Sequence, residues 1–241
     1  STAMSGTSSP PAAAATSRLW SPHAQLESLF ISISGMIGAG KSTLCVALGK
    51  ELNLPTYFEA VVDNAYLEDF YADQKRYAFQ LQVYLLNQRF RQQQEIVWQG
   101  KGGVQDRSIY EDDVFAKMLR DAGLMDPRDY DTYSALFKNM SHFMQRPNII
   151  VHLDVSPEES LRRIRARDRD CEAGITIEYL RALHRAYEEF VADISRVIPV
   201  IRVDYERFRD ATDMAAAIKR EYLALTNVRH VTVKTQQPPA A

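Results

Sequence analysis

Short β-prone segments alternate with longer amphipathic stretches along this chain. The segments predicted as strands are Leu29–Ser34, Pro55–Glu59, Gly103–Asp106, Asn148–Asp154 and Ile198–Asp204. The fourth contains the nearly continuous apolar run Ile149–Leu153, which is typical of a strand covered on both faces, as in a parallel sheet. The alternation of strands and helices predicts an α/β domain, a five-stranded parallel sheet flanked by helices.

The helical stretches are marked by periodicity and by their first residues. The predicted helices are Thr43–Lys50, Tyr77–Gln99, Asp112–Ala122, Asp129–Gln145, Tyr179–Val197 and Thr212–Leu225. Another helix begins at Ser156–Glu159, a capping box with proline at the first helical position. One helix carries apolar residues three and four positions apart, which predicts a single buried stripe. The stripe comprises Leu180, Leu183, Tyr187, Phe190, Ile194 and Val197.

Composition narrows the class of protein. With 241 residues, 46% of them hydrophobic, the chain can bury the core of one α/β domain. A formal net charge of −2 argues against a nucleic-acid partner. No apolar run reaches the roughly 18 residues of a membrane span, so no membrane is expected. Cys45 and Cys171 are far apart in sequence, which favours reduced thiols and a cytoplasmic location.

The two ends of the chain differ from the middle. We predict a disordered N-terminal extension over residues 1–27, a catalytic domain over 28–226 and a C-terminal extension over 227–241. Within the first segment, Met4–Thr16 lacks acidic residues, as a transit peptide does, but it also lacks the several arginines of one, since Arg18 is the first basic residue. Val228–Thr235 alternates like a strand and is either an unstructured tail or a strand that pairs with another subunit.

The segment Gly35–Ser42 carries the clearest chemical signal, because it reads G-x-x-x-x-G-K-S, the P-loop pattern for binding a nucleoside triphosphate, between a predicted strand and a predicted helix. Glycines let backbone N–H groups wrap a phosphate, and the helix N-terminus adds the positive end of its dipole. In this pattern Lys41 reaches the β- and γ-phosphates and Ser42 holds Mg²⁺. The residues expected to contact the donor nucleotide here are Gly35, Gly38, Gly40, Lys41, Ser42 and Thr43.

Two further sites lie at predicted strand ends, where functional groups of an open parallel sheet gather. Glu59 ends the second strand and could accept the proton of an attacking hydroxyl, although a lone glutamate is also common on a surface. Asp106 and Arg107 end the third strand. They could place Mg²⁺ and face a reacting phosphate, or they could form a turn with a local ion pair.

Five arginines fall within eight residues, at 162, 163, 165, 167 and 169, and the run breaks into a loop that ends at Gly174. Such a run is either a solvated helix face or a mobile lid that brings cations onto phosphates. Arg163 and Arg167 are four apart and therefore share a helix face.

Taken together, these motifs resemble the deoxyribonucleoside kinase family, in particular its deoxyadenosine/deoxyguanosine kinase branch. The resemblance runs from about Phe30 to about Leu225. Its motifs, in order, are Gly35–Ser42, Glu59 with Val61–Asn64, Phe79-Gln80, Asp106–Tyr110, and the arginine run with Glu172 and Gly174.

The resemblance implies a role for each matching position. Glu59 is the general base for the 5′-hydroxyl, Arg107 steadies that hydroxyl and the transferring phosphate, and Gln80 makes a bidentate hydrogen bond to the base. The other implied contacts are Tyr71 and Glu172 at the 3′-hydroxyl, Asp112 and Phe115 at the base, Arg163, Arg167 and Arg169 as lid cations, Asp106 at Mg²⁺, and Glu206 and Phe208 at the adenine of ATP.

Two positions depart from the family pattern. Animal members carry an arginine seven residues after the glutamine, where it pairs with the aspartate, and here that position is Asn87. The residue after Glu59 is often proline in the family, and here it is Ala60. The base-reading pair is therefore expected to be incomplete.

The resemblance implies ATP-dependent, Mg²⁺-dependent 5′-phosphorylation of a purine deoxyribonucleoside in nucleoside salvage, with deoxyadenosine favoured. Deoxyguanosine or deoxycytidine as the main substrate, or a nucleoside-monophosphate kinase, are the alternatives. A P-loop GTPase would need a guanine-reading Asn-Lys-x-Asp motif, which the sequence lacks. The resemblance also implies a homodimer built on helices, including Tyr77–Gln99 and the Met125–Gln145 block, with a tetramer formed through the terminal extensions.

Overall fold

A computed structural model describes residues 28–59, 64–169, 172–207 and 210–226. Its strands are β1 Phe30–Gly35, β2 Thr56–Tyr57, β3 Gly103–Asp106, β4 Ile149–Asp154 and β5 Val200–Asp204. They form one parallel sheet in the order β2-β3-β1-β4-β5. The five predicted strands and the α/β class are confirmed. The predicted terminal extensions, with Val228–Thr235, lie outside the described residues.

Helices connect the strands and cover the sheet. They are α1 Lys41–Leu52, α2 Leu67–Ala72, α3 Gln74–Gln99, α4 Asp112–Asp121, α5 Pro127–His142, α6 Pro157–Arg167, α7 Ile177–Ile194 and α8 Ala211–Thr226. The short α2 and a 3₁₀ turn over Ile109–Glu111 were not predicted from the sequence. The cap of α6 is as predicted, since the hydroxyl of Ser156 accepts from the amide of Glu159 at 3.1 Å. None of the described helices has the length and hydropathy of a membrane span.

The predicted stripe on α7 is buried only in part. Leu180, Leu183 and Tyr187 are buried, whereas Val197 is 57% exposed. The helix ends at Ile194, so the backbone leaves the helical path before the stripe reaches Val197. The prediction that Val197 is buried is therefore wrong.

The two faces of the sheet bury different chemistry. Toward α1 and α8 the strands present apolar side chains such as Ile31, Ile33 and Val104, which form the main core with helix residues such as Leu44 and Ile218. The apolar run in the fourth strand predicts that this face of the sheet is covered, and the helices α1 and α8 cover it.

The opposite face is buried but polar. Its strand residues include Ser32, Ser34, Gln105 and His152, all at most 3% exposed. The Ser34 hydroxyl and His152 Nδ1 lie 3.1 Å apart, and the His152 ring lies 5.5 Å from the ring of Tyr187 on α7. Gln105 donates to Gln92 on α3 at 3.3 Å, so this face contacts the helices above it through specific polar and aromatic contacts.

We predict that His152 makes folding sensitive to mild acid. Burial lowers the pKa of His152 from 6.5 to about 4. The unfolded chain therefore binds a proton near pH 6.5 that the folded chain accepts only near pH 4, so this contribution to stability is present above pH 6.5 and is lost as the pH falls through 4. Denaturant unfolding at pH 7 and pH 5 should show that the free energy of unfolding falls by about 2 kcal/mol more in the wild type than in His152→Asn. Equal losses in the two proteins would contradict this account.

Candidate active site

A glycine loop joins β1 to α1 and forms one wall of the site. Gly35, Gly38 and Gly40 have φ angles of 143°, 79° and 95°, a region that side-chain-bearing residues rarely adopt. A Cβ atom on Gly38 would lie 2.9 Å from the carbonyl oxygen of Ser160, so the loop also needs glycine for space. No side chain caps the start of α1. Its first backbone N–H groups can therefore receive an anion, as the P-loop pattern predicts.

Lys41 lies buried beneath this loop, with 7% of the residue exposed. Its Nζ donates to the carbonyl oxygen of Met36 at 2.8 Å. Burial, together with the nearby charge of Arg107, lowers the pKa of Lys41 to about 8, although Asp106, Glu59 and Glu111 oppose the shift. A phosphate would meet a cation that is already partly desolvated.

Ser42 and Asp106 come together at the junction of the loop and β3. The Ser42 hydroxyl donates to Asp106 Oδ2 at 2.5 Å. The other carboxylate oxygen, Oδ1, is buried and has no hydrogen-bond partner among the described residues. The Ser42 hydroxyl oxygen and the Asp106 carboxylate, with Oδ1 unpartnered among the described residues, lie beside the glycine loop and are oxygen ligands of the kind that Mg²⁺ prefers.

A second group with metal-ligating side chains lies elsewhere, on β4 and α7. Asp154, His184 and Glu188 bring their ligand atoms within 4.8 Å of one another. Arg202 pairs with both carboxylates, at 2.7 Å from Asp154 and 2.5 Å from Glu188. Arg202 balances one of the two negative charges, and none of these three residues lines the cavity described below, so the group is not the ion site of that cavity.

Glu59 is held between two arginines. Arg89, from α3, forms an ion pair with one of its oxygens, and Arg107 Nε lies 3.3 Å from the other. Burial alone would raise the pKa of Glu59, but the charges of Arg89, Arg107 and Lys41 outweigh it and lower the pKa to about 2. The carboxylate is therefore ionised at neutral pH, and its side chain is still 21% exposed, toward the cavity that it lines.

The glutamine on α3 is the main correction to the predicted site. Gln80 is exposed and lies away from the cavity, so its predicted role is wrong. Gln82, two residues later, is 2% exposed and lines the cavity. Its Oε1 is buried and has no hydrogen-bond partner in the described part of the chain. An amide oxygen that is buried without a described partner, in a residue that lines a cavity, is typical of a group that binds a ligand.

Placing the motif at Gln82 instead of Gln80 also removes the departure from the family pattern that was expected at Asn87. Arg89 lies seven residues after Gln82 and forms an ion pair with Asp112, which is fully buried. The glutamine, arginine and aspartate of the family pattern are thus all present. The sequence did contain a signal for this arrangement, because Gln82 and Arg89 share the seven-residue spacing that Gln80 and an arginine lack.

One cavity of about 240 Å³ joins these groups. Of the predicted residues, its lining includes Gly38, Lys41, Ser42, Glu59, Tyr71, Asp106, Arg107, Phe115, Arg167, Arg169 and Glu172. Asn64, Gln82, Arg89 and Tyr179 also line it and were not predicted. The donor loop and the predicted acceptor residues therefore line one shared cavity.

The three arginines predicted as lid cations, Arg163, Arg167 and Arg169, lie in two different places. Arg167 and Arg169, near the end of α6, contact Glu172 at 2.6 and 3.5 Å beside the cavity. Arg163 is buried instead and donates to the carbonyl oxygens of Ala39 and Tyr205 at 3.3 and 2.7 Å. Its prediction as a lid cation is wrong, because one helical turn places it under the glycine loop, where it supports the backbone.

The remaining predicted donor contacts lie outside the cavity. The Glu206 carboxylate accepts from the backbone amide and hydroxyl of Ser156, at 2.8 and 2.6 Å. Thr43 is exposed in the first turn of α1. Phe208 and the departure at Ala60 lie outside the described residues.

Comparison with known proteins agrees with this geometry. The profile of the deoxynucleoside kinase family matches residues 31–226. A deoxyadenosine kinase of Dictyostelium discoideum is 60% identical over 210 residues, which cover 87% of this chain and 86% of that protein. A deoxyadenosine/deoxycytidine kinase of Bacillus subtilis is 40% identical over 186 residues, 75% of this chain and 85% of that protein.

A solved structure also resembles this chain. The deoxyadenosine kinase of M. mycoides with bound dCTP superposes with a TM-score of 0.73 at 30% identity, covering 80% of this chain and all of that one. The chain belongs to the deoxynucleoside kinase family. It is a phosphotransferase of the P-loop kinase fold that takes ATP as the phosphate donor.

Proposed function

We propose that this deoxynucleoside kinase transfers the γ-phosphoryl group of ATP to the 5′-hydroxyl of deoxyadenosine. One observation carries the proposal: an ionised Glu59 and Gln82, whose buried amide oxygen has no partner among the described residues, line the same cavity as Lys41 of the glycine loop. The names of relatives that share 60% and 40% identity point the same way.

On the donor side, the N-terminal amides of α1 and Lys41 would bind the β- and γ-phosphates. Ser42 and Asp106 would hold Mg²⁺, since Asp106 keeps a buried oxygen without a hydrogen-bond partner among the described residues. The ion, when bound, neutralises charge on the phosphates. Arg167 and Arg169 would add positive charge from the end of α6 as the lid over the cavity.

On the acceptor side, Glu59 would accept the proton of the 5′-hydroxyl as the hydroxyl oxygen attacks the γ-phosphorus. The bond from the γ-phosphorus to the β,γ-bridging oxygen breaks at the same time, and ADP is the leaving group. A carboxylate with a pKa of about 2 is a weak base, so the proton moves only when the hydroxyl has become acidic through bond formation. Arg107, 3.3 Å from Glu59, would then stabilise charge on the transferring group.

The base would lie against Gln82. A carboxamide offers one acceptor and one donor, which match the amino group and a ring nitrogen of adenine. The O6 and N7 edge of guanine offers two acceptors, and its O6 and N1–H edge matches the carboxamide only when the amide is turned over, with O and NH₂ exchanged. Arg89 would suit guanine, but here it is paired with Asp112 and Glu59. Phe115, whose ring carries the Arg107 guanidinium at 4.8 Å, would pack on the base, and Tyr71 and Glu172 would hold the 3′-hydroxyl.

Deoxycytidine is the second candidate substrate, because cytosine also presents one amino donor beside one ring acceptor to an amide. The Bacillus subtilis relative is named for both nucleosides. Deoxyguanosine fits this amide less well. A nucleoside monophosphate is disfavoured as acceptor, since its phosphate would be repelled by the ionised Glu59.

We also propose a homodimer through α3 and α5. The supporting observation is a set of large apolar side chains left exposed on or beside these helices, namely Val97, Trp98, Leu136 and Phe143. Sedimentation equilibrium tests this, and a monomeric mass would contradict it. A tetramer through the terminal extensions and a cytoplasmic location stay predictions.

The substrate is tested by one assay with ATP and Mg²⁺ and a panel of acceptors: the four common deoxynucleosides, adenosine and deoxyadenosine monophosphate. We expect deoxyadenosine to have the highest kcat/KM, exceeding deoxyguanosine by at least about tenfold, because guanine presents the acceptor O6 where adenine presents its amino donor and so mismatches a Gln82 amide oriented for adenine. Deoxycytidine should come second. Phosphorylation of the monophosphate alone, or of none of these acceptors, would contradict the proposal.

The position of the base is tested by two glutamine variants on the same helix. Gln82→Ala should lower kcat/KM for deoxyadenosine by about 10- to 100-fold, the worth of a bidentate hydrogen bond to a base. Gln80→Ala is the matched control, since that side chain is exposed, and should stay within about twofold of wild type. The reverse order of effects would restore the assignment to Gln80.

A further inference from the structure

Two buried polar residues outside the cavity contact Arg107, the arginine proposed to stabilise the transferring phosphate. Glu111 ends the 3₁₀ turn after β3, and Tyr187 lies on α7, 76 residues later. Each is 1% exposed, and neither lines the cavity. The Tyr187 hydroxyl donates to Glu111 Oε1 at 2.5 Å. Arg107 Nη1 donates to the same carboxylate oxygen at 3.2 Å and to the Tyr187 hydroxyl.

These contacts fix Arg107 from the side opposite the substrate. Its backbone is in the left-handed region, with φ 65°, and its amide donates to the carbonyl oxygen of Ile33 at 3.0 Å. Nε faces Glu59 while Nη1 faces Glu111. Nε has no hydrogen-bond partner among the described residues, whereas Nη1 donates to both Glu111 and Tyr187, so these two groups set the direction of the planar guanidinium toward Glu59.

Glu111 also reaches the donor loop. The amide of Gly35, the first glycine of that loop, lies 3.4 Å from Glu111 Oε1. A single carboxylate oxygen therefore contacts the arginine of the acceptor side and the backbone of the donor side.

We propose that Glu111 and Tyr187 are positioning residues, which hold Arg107 toward Glu59 and the reacting hydroxyl and keep it in register with the glycine loop. This inference rests on the proposed function of Arg107. Neither residue touches substrate, so their effect on the reaction passes through the arginine.

A purely structural role explains these residues less well. The Tyr187 ring already packs against the rings of Phe115, Phe190 and His152, so the hydroxyl adds little to packing. A buried ion pair is on average no more stabilising than apolar side chains of the same volume, because both charges lose their hydration. The polar atoms of Glu111 and Tyr187 are therefore better explained by the direction that they give to Arg107.

The first test removes one hydroxyl. Tyr187→Phe should lower kcat for the nucleoside by about tenfold, the loss expected when a buried charged group loses a hydrogen bond. The KM values for deoxynucleoside and ATP should stay within about threefold, because no binding contact is removed. Tyr133→Phe is the matched control: Tyr133 is fully buried, and its hydroxyl has no hydrogen-bond partner among the described residues. It should keep wild-type kcat.

The second test asks whether the effect passes through Arg107. Tyr187→Phe and Glu111→Gln are each combined with Arg107→Lys, and kcat is measured for single and double variants. We expect each change to have less than about twofold effect once the guanidinium is gone, since nothing remains to be positioned. Effects that multiply in the double variants would overturn the proposal, as would an unchanged kcat in Tyr187→Phe. Failure of the proposed function is distinct, because the wild-type protein would then phosphorylate no deoxynucleoside.

Discussion

Two arginines converge on one carboxylate at the carboxyl ends of β2 and β3, and much of the structure follows from that arrangement. Arg89 and Arg107 are almost completely buried, and charges away from water must be paired. Glu59 forms an ion pair with each arginine. Arg89 also pairs with Asp112, and Arg107 also pairs with Glu111. The ion pairs thus connect α3, the strand ends and the turn after β3, elements that are distant in the sequence.

The polar face of the sheet extends this arrangement inward. Gln105 donates to Gln92 on α3 at 3.3 Å, and His152 lies beneath Tyr187 on α7. The apolar face, packed against α1 and α8, supplies the general stability of the domain. The division places adaptable hydrophobic packing on one side and direction-dependent polar contacts on the side that carries the site.

The sequence predicted what local pattern determines. The five strands, the glycine loop and the strand-end residues Glu59, Asp106 and Arg107 could be found because each follows directly from a β-prone run. The helix α3 was harder, since it buries Gln82 and Arg89 but exposes Val97 and Trp98. Hydrophobic periodicity therefore does not show which of two glutamines faces inward, and the sequence pattern alone places the motif two residues too early, at Gln80 instead of Gln82.

Other features depend on distances that the sequence does not encode locally. A spacing of four correctly put Arg163 and Arg167 on one face of α6, but which turn of that helix reaches the cavity depends on how α6 docks on the glycine loop. The contact between Glu111 and Tyr187 joins residues from two elements brought together only by the fold. Neither residue belongs to a motif with a recognisable spacing.

The central claim is that Glu59, held ionised by Arg89 and Arg107, accepts the proton of the attacking hydroxyl. Its most direct test is the single-turnover rate of phosphoryl transfer in Glu59→Gln, which keeps the shape of the side chain and removes its charge. We expect a loss of about 10²- to 10⁴-fold in that rate, the usual contribution of a general base, with ATP binding retained. A single-turnover rate equal to that of the wild type would contradict it.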